Sequence, residues 1–171
     1  MTTQYLDDLQ VSQTFKTNGV TLTEGDIIDF ALKYDPQPFH LDVVEAAKSP
    51  YGGLIASGFQ TVAYCFRLFI QSGVFLESSI GSPGIDELRW LAPVRPGDTL
   101  CTEVEVLEVR PSSSKPDRGI AKLKYQARNQ QGDVVLSFLV NHLLKRRMAS
   151  SVCQRGGIAD SVAPTSPASH R

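Results

Sequence analysis

The chain has 171 residues, of which 42% are hydrophobic and 20% charged, and its 17 Lys and Arg against 18 Asp and Glu leave a formal net charge of −1. A chain of this length and composition can form one globular domain with a sizeable core, which excludes an intrinsically disordered protein. The near-neutral charge excludes a global attraction to nucleic acid or to an anionic membrane, so an anionic ligand must be held by local cations.

The first predicted helix lies in "TEGDIIDFALKYD", residues 23–35. Thr23 and Asp26 have the spacing of a capping box, which marks the start of a helix. The two prolines of "DPQP" cannot continue the helix, and each biases the residue before it away from the helical region. We therefore expect a rigid loop that carries Asp35 and His40.

The second predicted helix is longer and lies in "SGFQTVAYCFRLFIQSG", residues 57–73, after a shorter segment, "LDVVEAAKS", that predicts another helical turn or two. Ser57 is the predicted N-cap and Gly73 follows the end. Apolar side chains occur on nearly all sides of this helix, which is typical of a helix enclosed by other structure. At 1.5 Å per residue the helix is roughly 22 Å long, and we expect it to form the centre of the core.

The second half of the chain alternates apolar and polar residues with a period of two. The alternating segments are "DELRWLA", "DTLCTEVEVLEVR" and "GIAKLKYQARN", and a more apolar segment, "VVLSFLVNHLL", follows the turn "NQQGD". Such segments predict antiparallel strands with one solvent face. Together with the central helix they predict an α+β fold, an antiparallel sheet wrapped around a long central helix. Because an open sheet has unpaired edges, we also expect a homodimer or a higher homo-oligomer.

The domain organisation and the compartment follow from composition. Residues 1–148 are expected to form a single domain, and residues 149–171, rich in Ser, Ala, Gly and Pro and without aromatics, a disordered tail. The three cysteines include no Cys-X-X-Cys pair, which argues against a disulfide framework and a thiolate metal site. With no signal-peptide pattern and no run of about 20 apolar residues, we expect a cytoplasmic protein without a membrane segment.

Asp35 and His40 are the main candidates for catalysis. They lie five positions apart across two prolines, so the loop can direct both side chains toward one point. A carboxylate and an imidazole held in this way can act as base and acid on one water molecule. In the alternative interpretation, Asp35 caps the turn and His40 packs against the loop.

Gly58 is the candidate for stabilising negative charge. As the first residue of the long helix it offers an unobstructed backbone N–H at the positive end of the helix dipole, where an oxyanion would be stabilised. Alternatively, Ser57 and Gly58 only begin the helix. The segment is not G-X-S-X-G, so Ser57 is not a predicted nucleophile.

The three histidines lack ligand spacing, so no metal site is expected. Trp90 is expected in the core or at an interface.

These segments resemble a known family. "DPQPFH", followed by "IASGFQT" at residues 55–61, resembles the hydratase signature of the MaoC-like (R)-specific enoyl-CoA hydratases and acyl dehydratases. "GSPGIDELRWLAPVRPGDTL" resembles the strand and turn that follow the central helix in the same family. The resemblance spans roughly residues 8 to 147 and implies a hotdog fold.

The resemblance also implies an activity: reversible addition of water to the double bond of a trans-2-enoyl thioester. Asp35 and His40 would be the water-activating dyad, and the Gly58 N–H would polarise the thioester carbonyl. The substrate would be an acyl-CoA or acyl-carrier thioester, and no metal or redox cofactor would be required, coenzyme A being part of the substrate. Gln37 stands where the signature usually has Asn and has a longer reach.

Further residues are expected at the substrate without a specific motif. Gln37, Ser57, Phe59 and Val62 are candidates for substrate binding, the last two as lining of the acyl tunnel. Four cations are candidates for the phosphates of coenzyme A: Arg89, Arg95, Lys115 and Arg118. Two other functions stay open, a hotdog acyl-CoA thioesterase and a non-catalytic module that binds acyl thioesters.

Overall fold

The structure is a computed structural model that describes residues 2–147. The predicted tail, residues 149–171, lies outside the described residues, so its disorder stays a prediction. A 3-10 turn at Leu6–Asp8 precedes four helices and seven strands. In chain order these are β1 (Thr14–Lys16), β2 (Val20–Thr21), α1 (Glu24–Tyr34), α2 (Pro38–Leu41), α3 (Val43–Lys48), α4 (Gly58–Gln71), β3 (Ser79–Gly81), β4 (Ile85–Trp90), β5 (Thr99–Pro111), β6 (Arg118–Arg128) and β7 (Val134–Lys145).

The seven strands form one antiparallel sheet in the order β1-β5-β6-β7-β3, with β2 also paired to β5 and β4 also paired to β7. The long strands β5, β6 and β7 make its centre. Cys101 of β5 lies opposite Arg128 of β6, and Arg118 of β6 lies opposite Lys145 of β7. Helix α4 packs against β5 and β6. This arrangement confirms the predicted α+β class and the position of the long helix against the sheet.

Burial along the strands follows the predicted alternation only where the strand is regular. In β6, Ala121, Leu123, Tyr125 and Ala127 are all buried, while the residues between them are partly exposed. In β4 five of the six residues are exposed. The register of β4 against β7 shifts between Asp86 and Arg89, and Glu87 has a φ of 52°, the geometry of a β-bulge. The bulge interrupts the alternation that the sequence predicts.

Helix α4 is buried on one side only. Cys65 and Phe69 are buried against the sheet, and the Thr102 hydroxyl donates to the Cys65 carbonyl at 2.9 Å. On the other side, Phe59 is 63% exposed and Ile70 is 45% exposed. Within residues 2–147 the expected enclosure of this helix by other structure is therefore found on one side only, the side that faces the sheet.

The segment that carries His40 is also more regular than predicted. Pro38 begins the short helix α2, where its missing N–H has no cost because the first N–H groups of a helix have no partner within the helix. The segment between Asp35 and His40 is therefore not a loop throughout. The predicted turn or two after it is confirmed as α3, capped by the Asp42 carboxylate, which accepts from the backbone N–H groups of Val44 and Glu45.

A polar pair lies within the aromatic part of the core. Tyr125 on β6 and His142 on β7 are both buried, and the Tyr125 hydroxyl lies 2.7 Å from the His142 Nε2. Burial lowers the pKa of His142 to about 4. The imidazole is therefore neutral at physiological pH and acts as part of the core.

Candidate active site

Asp35 and His40 are positioned by the end of one helix and the start of the next. Asp35 is the C-cap of α1, and its backbone N–H donates to the Ala31 carbonyl at 3.0 Å. Pro36 cannot extend α1, so the chain turns before α2 begins at Pro38. The backbone N–H of His40 then donates to the Gln37 carbonyl at 2.9 Å. The turn brings the two candidate side chains to the same place.

The Asp35 carboxylate has specific partners on both oxygens. Its Oδ1 accepts from the Gln37 side-chain amide at 2.8 Å, and its Oδ2 accepts from the Ser57 hydroxyl at 2.6 Å. The same Oδ2 lies 3.4 Å from the His40 Nε2. The Asp35 side chain is 15% exposed and the His40 side chain 4% exposed, so the pair is largely shielded from bulk solvent.

The hydrogen bond on the far side of the imidazole determines its tautomer. The His40 Nδ1 lies 2.8 Å from the Ile55 carbonyl oxygen, which can only accept. Nδ1 therefore carries a hydrogen, and in the neutral ring Nε2 has the free lone pair. That lone pair lies next to the Asp35 carboxylate.

The environment of Asp35 favours its ionised form. Burial raises the pKa of the carboxyl, but the hydrogen bonds from Ser57 and Gln37 and the neighbouring His40 lower it, and the result is a pKa below the usual value. Asp35 is therefore a carboxylate at physiological pH, whose oxygens accept hydrogen bonds and donate none.

Gly58 begins α4 beside this pair. Among residues 2–147 its backbone N–H has no hydrogen-bond partner, whereas the next N–H, of Phe59, donates to the Ser57 hydroxyl at 3.2 Å. A Cβ at position 58 would lie 2.6 Å from two atoms of the Trp90 indole. Only glycine fits here without moving the indole, a constraint that the helix pattern alone does not contain.

A cavity of about 510 Å³ joins these groups. Of the predicted site residues, Asp35, Gln37, His40, Gly58 and Phe59 line it. Its walls also contain residues that the sequence reasoning did not assign to the site: Phe39, Tyr51, Ile55, Ala56, Thr61, Trp90, Leu91, Ala92, Pro93 and Val94. Nothing local in the sequence indicates Tyr51, while Trp90 was expected in the core or at an interface. Trp90 is 50% exposed and is not a core residue.

Two predicted substrate-binding residues do not line the cavity. Ser57 is fully buried, and its hydroxyl contacts Asp35 and the N-terminus of α4 instead. Val62 is partly buried and packs against the core. The structure thus assigns Ser57 to the support of Asp35 and separates Val62 from the site.

Within residues 2–147 no group of three or more His, Cys, Asp and Glu side chains has the geometry to hold a metal ion. No helix in the same part of the chain has the length and apolar character to cross a membrane.

Comparison with known proteins agrees with the predicted resemblance. The family described as MaoC like domain matches residues 8–127. The chain is 35% identical to the uncharacterised protein YdeM of Bacillus subtilis over 141 residues, which cover 82% of this chain and 99% of YdeM. It is 38% identical to a solved MaoC-like dehydratase from Rhodospirillum rubrum, with a TM-score of 0.79, 85% of this chain and 99% of that chain being covered.

A structure with a known activity is also similar. The (R)-hydratase from A. caviae that is involved in PHA biosynthesis is 27% identical and has a TM-score of 0.64, over 80% of this chain and 96% of the hydratase. The matched solved structures confirm the predicted hotdog fold. The chain therefore belongs to the MaoC-like domain family.

Proposed function

We propose that this protein is an (R)-specific enoyl-CoA hydratase, which adds water reversibly to the double bond of a trans-2-enoyl thioester. In the reverse direction it is a 3-hydroxyacyl thioester dehydratase. Membership of the MaoC-like family supports a hydro-lyase, and the similarity to the (R)-hydratase from A. caviae supports this stereochemistry.

The geometry of Asp35 and His40 is the observation that carries the proposal. The carboxylate Oδ2 and the imidazole Nε2 lie 3.4 Å apart, and both are hydrogen-bond acceptors when His40 is neutral with its hydrogen on Nδ1. Two acceptors that face each other are best satisfied by a molecule that donates two hydrogen bonds. Water is such a molecule, so the pair is suited to hold one water in the cavity with its oxygen lone pairs available.

The proposed reaction follows from this arrangement. The water oxygen attacks the β-carbon of the enoyl thioester while one member of the Asp35–His40 pair takes a proton from it. Negative charge develops on the thioester oxygen, where the free N–H of Gly58 at the start of α4 stabilises it. The proton returns from the pair to the α-carbon, so the pair ends in its initial state. Every atom of the water is in the product, and we propose that no metal or redox cofactor takes part.

The test is an activity assay on a panel of trans-2-enoyl-CoA esters from short to long. Loss of absorbance of the conjugated thioester reports hydration, and chiral analysis of the product reports the (R) configuration. The variants Asp35→Asn and His40→Ala should each lower kcat about 10²- to 10⁴-fold, the usual contribution of a general acid or base. Asp42→Asn is the matched control, since Asp42 is a nearby carboxylate that caps α3 and does not line the cavity.

Other outcomes would identify the alternatives. Release of free coenzyme A, detected with a thiol reagent, would indicate a thioesterase. Binding of acyl-CoA without turnover would indicate a binding module. Wild-type rates in both dyad variants would remove Asp35 and His40 from the mechanism.

We also propose that the working form is at least a homodimer. Within residues 2–147, strand β4 pairs with β7 alone, so one of its edges has unpaired backbone groups. Next to this edge lie apolar side chains that are 47% to 63% exposed, namely Ile85, Trp90, Leu91 and Phe59. The last three also line the cavity, so a second copy at this edge would close its outer wall. Light scattering should give at least twice the monomer mass, and a monomer mass would contradict this proposal.

A further inference from the structure

The sequence offers four cations for the phosphates of a carrier, and the structure separates them. Lys115 and Arg118 line a second cavity, of about 450 Å³, which also contains Leu143 on β7. Trp90, in the wall of the candidate active site, pairs with Leu136, which is also on β7. Leu136 and Leu143 are seven positions apart in extended strand β7, or about 23 Å. Lys115 and Arg118 therefore lie far from the candidate active site of their own chain, whereas Arg89, the residue before Trp90 in β4, and Arg95 lie near it.

Arg95 does not line the cavity of the candidate active site but contacts a residue of its wall. Its Nη2 donates to the Tyr51 carbonyl at 2.5 Å, and its Nη1 is 3.4 Å from the position that a Cβ of Gly53 would take. Tyr51 and Val94, the residue before Arg95, both line the cavity. The guanidinium is therefore held next to the cavity wall by the segment that follows α3.

A continuous aromatic wall connects this cation with the catalytic pair. The Tyr51 ring contacts the Phe39 ring at a centroid distance of 5.3 Å, and the Phe39 ring contacts the His40 ring at 4.5 Å. Two aromatic contacts thus separate the imidazole from the segment that binds Arg95. An apolar wall that ends in a cation matches a ligand with an uncharged arm that ends in an anion.

The guanidinium of Arg95 is available for such an anion. Among residues 2–147 no carboxylate forms a salt bridge with it, and the residue is exposed. The carboxylate of Asp98 accepts from the backbone N–H of Arg95 at 2.7 Å, not from its side chain. Four of the five guanidinium N–H groups thus have no acceptor within the described part of the chain. By contrast, Arg118 is bound through two hydrogen bonds to Asp117.

We propose that Arg95 binds a phosphate of the carrier to which the acyl group is attached and so selects substrates that carry one. This proposal rests on the proposed function, because it assumes that a thioester occupies the candidate active site. Arginine is suited to the role, since its planar guanidinium donates two parallel hydrogen bonds to a phosphate. Coenzyme A and an acyl carrier protein share the phosphate next to pantetheine, whereas the remaining phosphates belong to coenzyme A alone.

The experiment compares one enoyl group on four carriers: pantetheine, phosphopantetheine, dephospho-coenzyme A and coenzyme A. For Arg95→Gln, kcat/KM for the coenzyme A ester should fall about tenfold or more, the expected loss for a charge-assisted hydrogen bond at a partly exposed site. With the pantetheine ester, which lacks phosphate, kcat/KM should change less than twofold. Lys115→Gln, in the second cavity, is the matched control and should leave the ratio of the two esters unchanged.

The intermediate carriers locate the phosphate. A loss already present with phosphopantetheine assigns Arg95 to the phosphate that coenzyme A and carrier proteins share. A loss that first appears with dephospho-coenzyme A or coenzyme A assigns it to the phosphates of coenzyme A. An equal loss on all four esters, as expected if Arg95 only supports the Tyr51 segment, would overturn the proposal, and so would no loss on any ester.

Failure of the proposed function gives a different result. If the wild-type protein turned over none of the esters, the hydratase activity itself would be refuted. Calorimetric binding of coenzyme A and of pantetheine to the wild type and to Arg95→Gln would then still test the phosphate contact. If the contact exists, coenzyme A binds the wild type more tightly than it binds Arg95→Gln, whereas pantetheine binds both proteins alike. Equal affinities of the two proteins for coenzyme A would refute the contact.

Discussion

The Ser57 hydroxyl links the stability of α4 to the chemistry of Asp35, so Ser57→Ala provides a direct test of the site. The hydroxyl donates to the Asp35 carboxylate at 2.6 Å and accepts from the Phe59 N–H at 3.2 Å. Alanine removes both interactions without adding bulk. The two losses can be measured separately, one as activity and the other as stability.

The hydrogen bond to the carboxylate has the larger effect on activity. A hydrogen bond to a charged group contributes about 1.5–3 kcal/mol, which corresponds to a decrease in kcat/KM of about 10- to 150-fold if it is fully needed in the transition state. Loss of the helix cap should reduce the free energy of unfolding by about 0.5–2 kcal/mol. The variant should therefore fold and show a defect in catalysis.

The pH dependence gives a result that a purely structural role would not produce. The hydrogen bond from Ser57 is one of the interactions that hold the pKa of Asp35 below its usual value. Without it the pKa rises, so the carboxylate is protonated at higher pH. The acidic limb of the kcat/KM profile should therefore move to higher pH, while Ser57→Thr, which keeps a hydroxyl, should shift it less.

Thr23→Ala is the matched control. The Thr23 hydroxyl also caps a helix, accepting from the Asp26 N–H at 3.1 Å, and also donates to a carboxylate, that of Asp26 at 2.5 Å. Neither residue lines the cavity. This variant should lose stability but keep its activity and its pH profile. If Ser57→Ala kept kcat/KM within twofold and its acidic limb did not move, Ser57 would not support Asp35 in catalysis.

Three other predictions follow from the same contacts. Gly58→Ala places a Cβ 2.6 Å from the Trp90 indole, so the ring must move. We expect kcat/KM to fall at least tenfold and the fluorescence of this single tryptophan to change. Unaltered emission and activity would contradict the packing of Trp90 against Gly58. Because the pKa of His142 is lowered to about 4, the unfolded chain binds a proton below pH 6.5 that the folded chain does not. Between pH 7 and pH 4.5 the free energy of unfolding by urea should therefore fall by about 2–3 kcal/mol more for the wild type than for the double variant Tyr125→Phe, His142→Phe. Equal decreases for the two proteins would be evidence against a buried neutral imidazole. Treatment with EDTA should leave hydratase activity within twofold, and loss restored by a metal would overturn the mechanism without a cofactor.

The local patterns of the sequence predict the elements where one side of a long element is buried. In β6 the alternation of Ala121, Leu123 and Tyr125 with lysines and glutamine matches the observed burial, because both neighbouring strands hold it in a regular register. In β4 the same alternation fails at the bulge near Glu87. The strands β1, β2 and β3 have two or three residues each, too few for a period to be visible.

The candidate site was predictable where its residues are close in the chain. The two prolines around Gln37 indicate a turn that holds Asp35 and His40, and the cap at Ser57 indicates the start of α4. Ser57 and Asp35 are 22 positions apart, and no local pattern reveals that they are hydrogen-bonded. The same holds for Trp90 against Gly58 and for Arg95 against Tyr51, which come from separate segments.

The sequence alone thus determined the α+β class, the two main helices and the three residues proposed for catalysis, because capping, proline geometry and hydrophobic periodicity act over a few neighbouring residues. The tertiary structure decided which side of α4 is covered, which partners hold Asp35 as a carboxylate, and that Lys115 and Arg118, unlike Arg95, lie far from the cavity. These features depend on distances between segments that are remote in the chain. Such distances are set only when the sheet has closed against the helix.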